Sequence, residues 1–195
     1  NMIKIAGVDE VGRGCLAGPV FAAAVILNNK IIRKNIKDSK KISFKKRILI
    51  SEYIKKNSIF AIGMASVEEI NKINILNASL LSMKRALDKL KTKPSFAYID
   101  GPFAPKNTKI KCKTFIKGDD RIVCIAAASI IAKTTRDLFM IELGKKYPEY
   151  KWSKNFGYGT EEHLKKLRKY GVTKHHRKTF RPIHNILMND ARETQ

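Results

Sequence analysis

The 195-residue chain carries 40 Lys and Arg against 17 Asp and Glu, a formal net charge of +23, with 44% hydrophobic content. That length suits one domain with a small appendage. The charge calls for a polyanionic partner, nucleic acid ahead of a membrane surface, because each neutralised phosphate releases condensed counterions. Three cysteines with no Cys-x-x-Cys pair exclude a disulfide framework and a zinc ribbon. With no signal-peptide pattern and no apolar stretch of about 18 residues, the expectation is a soluble, cytoplasmic protein with no membrane partner.

Ile3, Ile5, Gly7 and Asp9 alternate with Lys4, Ala6, Val8 and Glu10, which predicts a first strand ending at Gly12 with Asp9 on one face and Glu10 on the other. The run Val20 to Leu27 reads as a buried, antiparallel neighbour, and Ile59 to Val67 as a third strand. Ser43 is placed to cap a helix from Phe44 to Lys56, and Leu76, Leu80, Met83 and Leu87 predict another from Leu76 to Lys91, stopped by Pro94. Phe96 to Asp100 is a short strand ending on a carboxylate, Lys113 to Lys117 an edge strand, and Asp119 to Lys146 one long helix. Thr160 caps a last helix that Gly171 closes. The order of elements predicts an α/β or α+β sheet domain over residues 1–150 and a helical extension over 151–195.

Carboxylates are scarce here, so their positions matter. Asp9 and Glu10 end one predicted strand and Asp100 another. If the strands are neighbours, their acids meet at one sheet edge, as two-metal phosphoryl chemistry requires. By itself Asp100 before Gly101-Pro102 reads equally well as a turn initiator. Ser129, Lys133 and Asp137 fall at i, i+4 and i+8 on the long helix, a polar stripe that offers metal a carboxylate and phosphate a hydroxyl and an ammonium; an exposed Lys133 to Asp137 ion pair is the plainer reading. Asp119 and Asp120 compete for that ligand role, but after Gly118 they read more readily as caps of the same helix.

Gly12-Arg13-Gly14 brings bare backbone and one guanidinium beside the first acid pair, able to grip a phosphate or to touch a ribose 2′-OH. It fits neither a Walker A loop nor a dinucleotide fingerprint. Ser39 and Lys40 in Asp38-Ser39-Lys40-Lys41, and Lys117 in Lys117-Gly118-Asp119, are further phosphate candidates with equally available roles as polar loops. Tyr158, between Gly157 and Gly159, is placed either to stack on a sugar or to pack at a helix entrance. His175-His176-Arg177 reads as a basic surface patch.

Gly7 to Gly14 with Ala17-Gly18-Pro19, Asp38 to Lys41, Ile99-Asp100-Gly101, Lys117-Gly118-Asp119, Ala127 to Lys133 with Arg136-Asp137, Gly157 to Thr160 and His176 to Phe180 together resemble bacterial ribonuclease HII, in order and over nearly the whole chain. The resemblance implies an RNase H-like fold, a mixed five-stranded sheet flanked by helices with a helical extension. It implies a monomeric endoribonuclease acting on RNA/DNA hybrids and 5′ of single ribonucleotides in duplex DNA, serving ribonucleotide excision and RNA primer removal and leaving 3′-OH and 5′-phosphate ends. Asp9, Glu10, Asp100 and Asp137 are then the catalytic ligands of two Mn2+ or Mg2+ ions. Gly12, Arg13 and Gly14 read the 2′-OH, Tyr158 stacks beneath the next deoxyribose, and Ser39, Lys40, Lys117, Ser129 and Lys133 touch substrate. Cys15, where the family commonly has proline, and Phe156, where it commonly has a basic residue, depart from the pattern. The first strand's early start in this chain is expected to leave out the N-terminal domain of the related ribonuclease HIII. The competing readings are another RNase H-like metal nuclease, such as a junction resolvase, and a noncatalytic basic RNA-binding protein.

Overall fold

The structure, a computed structural model, describes residues 2–31, 33–37 and 42–195. The candidate contacts Ser39 and Lys40 lie outside the described residues. The chain packs as two compact units, one comprising Asn1–Val11, Phe21–Met64 and Ser79–Thr135, the other Gly12–Val20, Ala65–Ala78 and Arg136–Gln195.

The first unit is built on a five-stranded mixed sheet of β1 (Ile5–Val11), β2 (Val20–Leu27), β3 (Ser58–Ala65), β4 (Phe96–Asp100) and β5 (Lys111–Phe115), in the order β3-β2-β1-β4-β5. As the sequence predicts, β1 runs antiparallel to β2, with Gly7 opposite Val25. It runs parallel to β4, with Val8 beside Ile99, and β4 runs parallel to β5. The period-2 alternation of β1 is expressed in the packing. Ala6 and Val8 join Ala24, Ile99 and, from the helix α3 (Val67–Lys89), Met83 and Leu87 on one face. Ala23 and Val25 join Ile54 of α2 (Phe44–Lys56), Ile36 of α1 (Arg33–Lys37) and Ala127 and Ile131 of α5 (Val123–Lys146) on the other. A Cβ on Gly7 would lie 2.1 Å from the Cys124 carbonyl carbon, so only glycine lets the start of α5 rest directly on β1.

Three boundaries differ from expectation. Val67 begins α3 rather than ending β3, because Ser66 and Glu69 form a reciprocal capping box, each side chain accepting the other's amide at 3.1 Å. The backbone then breaks at Asn74 (φ 71°, ψ 169°), whose side chain accepts from the Asn77 amide at 2.9 Å; the apolar period from Leu76 therefore marks only the second half of α3. The helix predicted from Asp119 is two: α4 (Gly118–Arg121) and α5, parted by Ile122 in an extended conformation. Asp119 and Asp120 thus belong to a separate short helix and do not cap α5.

The second unit gathers the later part of α5, a 3-10 turn at Pro148–Tyr150, α6 (Trp152–Asn155), α7 (Glu161–Tyr170) and α8 (Arg181–Glu193) around Leu16, Met140, Trp152, Leu167 and Ile183. Thr160 caps α7 as predicted, accepting from the His163 amide at 3.2 Å. Among the described residues no helix is long and apolar enough to cross a membrane.

Candidate active site

Parallel pairing of Val8 with Ile99 means that the next step along both strands sets Asp9 beside Asp100 at the carboxyl end of the sheet. Asp9 is only 5% exposed, and its Oδ1 accepts the Glu10 amide at 2.8 Å. Burial pushes its carboxyl well above the usual carboxylate range; the negative charges of Glu10 and Asp100 add to the rise, the Glu10 amide opposes it, and Asp119 adds again. Asp119 is held close by its own backbone, which donates to Asp100 Oδ1 at 3.2 Å.

Four acids of the first unit therefore converge electrostatically: Asp9, Glu10, Asp100 and Asp119. Their oxygens are hard donors, and acids gathered around one buried carboxylate are a set whose charge a divalent cation offsets. The donor set fits Mg2+ or Mn2+. Among the described residues no three such side chains are already gathered as a closed cage.

In the second unit, the two glycines of Gly12-Arg13-Gly14 are glycine for different reasons. Gly12 has φ +94°, and a Cβ there would stand 2.3 Å from Arg136 Nε. A Cβ on Gly14 would meet nothing within 4 Å, which leaves its backbone open to close approach by a ligand. Arg13 is exposed. The segment that follows is bonded to the tyrosine loop, since the amides of Leu16 and Ala17 both donate to Gly157 O, at 2.8 and 3.3 Å. A Cβ on Gly157 would stand 2.4 Å from Ala17 O, so this junction too requires glycine.

Tyr158 presents a ring that is 42% exposed, with the Arg136 guanidinium carbon 5.9 Å from its centre. Its hydroxyl is within electrostatic reach of the buried thiol of Cys15, whose Sγ donates to Phe156 O at 3.7 Å. Burial, reinforced by Cys15, pushes the phenol up to about 12, so it stays protonated. Cys15, which departs from the family pattern, thus bonds the turn segment to the tyrosine loop through Phe156 O.

Behind Tyr158 lies a buried histidine relay. Trp152 Nε1 can only donate, so His163 Nε2 accepts from it at 3.1 Å. The Thr173 amide likewise donates to His176 Nδ1 at 3.0 Å, which leaves the His176 proton on Nε2, facing His163 Nε2 at 3.0 Å. His163 then carries its proton on Nδ1 and donates it to Tyr158 O at 2.9 Å. Both rings are neutral and both are held below the usual histidine range by burial.

The expected site residues divide between the units. Asp9, Glu10, Asp100, Lys117, half-buried Ser129 and exposed Lys133 belong to the first; Gly12, Arg13, Gly14, Tyr158 and Asp137 to the second. Asp137 is buried, within electrostatic reach of Cys15 and Tyr158. Asp119, read from sequence as a cap, is the acid that joins Asp9 and Asp100. The expected basic surface patch is a correction: His176 and Arg177 are fully buried, because ring nitrogens and guanidinium alike are consumed by interior partners. The same holds for Arg136, whose inward position was signalled by its i, i+4 spacing from Ala132 and Met140.

A family model described as Ribonuclease HII matches residues 6–185. The chain is 58% identical over 183 residues to ribonuclease HII of Pelagibacter ubique, covering 94% of this chain and 98% of that one. To ribonuclease HII of Roseobacter denitrificans it is 47% identical over 187 residues, covering 96% and 94%. The crystal structure of ribonuclease H2 from Pyrococcus horikoshii superposes with a TM-score of 0.82 at 25% identity, over 96% of this chain and 98% of that one. With the mixed five-stranded sheet and its flanking helices, these matches establish that the chain belongs to the ribonuclease HII family and is an endoribonuclease of the ribonuclease H class, acting on RNA/DNA hybrids.

Proposed function

We propose that the enzyme cuts the RNA strand of RNA/DNA hybrids and, in duplex DNA, the phosphodiester 5′ of a single embedded ribonucleotide, leaving 3′-OH and 5′-phosphate ends. The observation that carries this reading is the pairing, two residues apart in the chain, of a converging acid set with a glycine turn whose Gly14 backbone is open to close approach. Such a turn offers amides and carbonyls to a 2′-OH, the one group that separates ribose from deoxyribose.

Asp9, Glu10, Asp100 and Asp119 hold two divalent cations, Mg2+ or Mn2+. We assign the fourth place to Asp119 in preference to Asp137, because Asp119 acts on Asp9 and its backbone binds Asp100. Bound metal supplies Lewis acidity toward the scissile phosphate and the attacking water. Gly12, Arg13 and Gly14 read the 2′-OH, with the Arg13 guanidinium near the phosphate. The exposed face of Tyr158 stacks beneath the following sugar, and Ser129, Lys117 and Lys133 contact backbone phosphates. The enzyme works as a monomer in the cytoplasm, in ribonucleotide excision and primer removal.

Metal dependence tests the proposal. Protein freed of metal is expected to leave a ribonucleotide-bearing duplex intact, and added Mg2+ or Mn2+ to restore cutting to the wild-type protein but not to Asp9→Asn. Cutting in the presence of excess chelator, or by Asp9→Asn at near wild-type rate, would overturn it.

A further inference from the structure

Arg136 and Arg177 are among the largest fully buried side chains of the protein, each 0% exposed. In a protein with this much basic charge, arginines near a nucleic-acid site are expected to face phosphate. These two face backbone. Arg136 donates from Nε to Pro19 O (2.9 Å), from Nη1 to Phe156 O (2.6 Å) and from Nη2 to Ala17 O (2.9 Å). Arg177 donates from Nε to Gly18 O (2.9 Å), from Nη1 to Arg13 O (3.0 Å) and from Nη2 to Gly12 O (2.7 Å).

We propose that Arg136 and Arg177 are positioning residues of the ribose reader: they aim the Gly12-Arg13-Gly14 turn and lock it to the Tyr158 loop, without themselves touching substrate. This rests on the reading of that turn as the 2′-OH sensor. The physical link is the peptide plane. In a trans peptide the C=O of one residue and the N–H of the next point in opposite directions. Drawing the carbonyls of Gly12 and Arg13 onto the Arg177 guanidinium therefore turns the amides of Arg13 and Gly14 the other way, toward an incoming ligand. Arg136 joins this turn to the tyrosine: one guanidinium holds Ala17 O, Pro19 O and Phe156 O and also lies 5.9 Å from the Tyr158 ring centre. The main chain closes the frame, with Leu16 N bonded to Gly157 O at 2.8 Å and Arg177 N to Leu16 O at 2.8 Å.

Only arginine can do this. A guanidinium presents a rigid planar fork that spans three carbonyls, whereas a lysine ammonium is a point charge on a flexible stem. A misplacement of about 1 Å in such a reader costs on the order of 100-fold in rate.

The test compares Arg177→Lys and Arg177→Met with wild type on a duplex holding one ribonucleotide, and measures duplex affinity against salt. Both variants are expected to lose about 100-fold in cleavage, with no rescue by lysine, while the slope of log affinity on log salt and the Mn2+ affinity stay as in wild type. Full activity in Arg177→Lys would overturn the positioning role. So would a salt slope reduced by about one contact in Arg177→Met, the signature of a phosphate ligand. A measurement on the wild type guards against variants that do not fold: the Nε–H protons of Arg136 and Arg177 are expected to exchange slowly with solvent, with and without a bound duplex, and exchange at the free-arginine rate would overturn the proposal. A wild-type protein that ignores the single ribonucleotide would instead sink the functional reading on which this inference rests.

Discussion

The Cα of Gly12 rests against the Arg136 side chain so closely that a Cβ there would stand 2.3 Å from Nε. Gly14, two residues on, has open space where Gly12 has a guanidinium. Alanine at the two positions should therefore fail in different ways. Gly12→Ala must relieve both the contact and a φ of +94°, and is expected to cost about 1–3 kcal/mol of stability. Gly14→Ala is expected to melt like wild type, within about 0.5 kcal/mol, yet to lose at least about tenfold in cleavage at a single ribonucleotide because the new methyl blocks the backbone. Thermal melts run beside cleavage assays separate the two; equal melting temperatures for both variants would contradict the geometry.

The assignment of the fourth acid is open to direct comparison. Asp119→Asn is expected to weaken Mn2+ binding and to slow cleavage by at least about 100-fold, roughly 2.7 kcal/mol of barrier. Asp137→Asn should keep its Mn2+ affinity if the fourth place belongs to Asp119, whose backbone amide binds Asp100. Titration calorimetry with Mn2+ reads both. The reverse pattern would return the ligand role to Asp137.

Stability should fall on the acid side of neutrality for an identifiable reason. Burial first, and the adjoining rings of His163 and His175 next, push His176 down to about 3, against an ordinary value of about 6.5. As pH drops below about 6.5 the unfolded chain takes up a proton that the folded chain refuses. The contribution present above that pH is lost progressively toward pH 3, at up to about 1.4 kcal/mol per pH unit. The groups facing the ring are His163, Thr173, Tyr150, Trp152 and His175, none an acid that would hold the proton in place. Urea midpoints measured from pH 7 to 5 are expected to fall in the wild type and to fall less steeply in His176→Asn. Parallel slopes would remove the relay as the cause.

Tyr158 should matter in proportion to how much of the substrate depends on one sugar. Tyr158→Ala is expected to lose about tenfold more on a duplex with a single ribonucleotide than on a long RNA/DNA hybrid, where other contacts share the binding. Tyr158→Phe keeps the ring and its stacking face but removes the hydroxyl beside Cys15, and should fall between the wild type and alanine. Equal losses on both substrates in Tyr158→Ala would argue against stacking on the sugar.

How much of this was legible in the sequence depends on what each residue's environment is made of. The alternation along β1 and the apolar run of β2 gave the core of the sheet, because both are local patterns that burial expresses directly. The division of the helix after Asp119 was hidden, since it follows from Lys117 in a left-handed conformation and from Gly118, where a Cβ would lie 2.7 Å from Ile125 Cδ1; neither is a local preference. The cap reading of Asp119 goes with it, since Asp119 lies inside α4. Arg177, expected in a basic patch, and Arg136 are buried for the opposite reason. Their types suggest a surface, and only the folded chain supplies the six carbonyls that satisfy them inside. A buried cation bonded to backbone leaves almost no trace in composition or charge.

In the proposed function, the reader turn and the acids select one bond beside one ribose. The measurement that tests it most directly is incubation, in Mg2+ or Mn2+, with a DNA duplex holding a single ribonucleotide, mapping the cut to the nucleotide beside an all-DNA control of the same sequence. A single cut on the 5′ side of the ribonucleotide, with the control untouched, is the predicted result. Cutting of the control at a similar rate, a cut elsewhere in the strand, or none at all would contradict it.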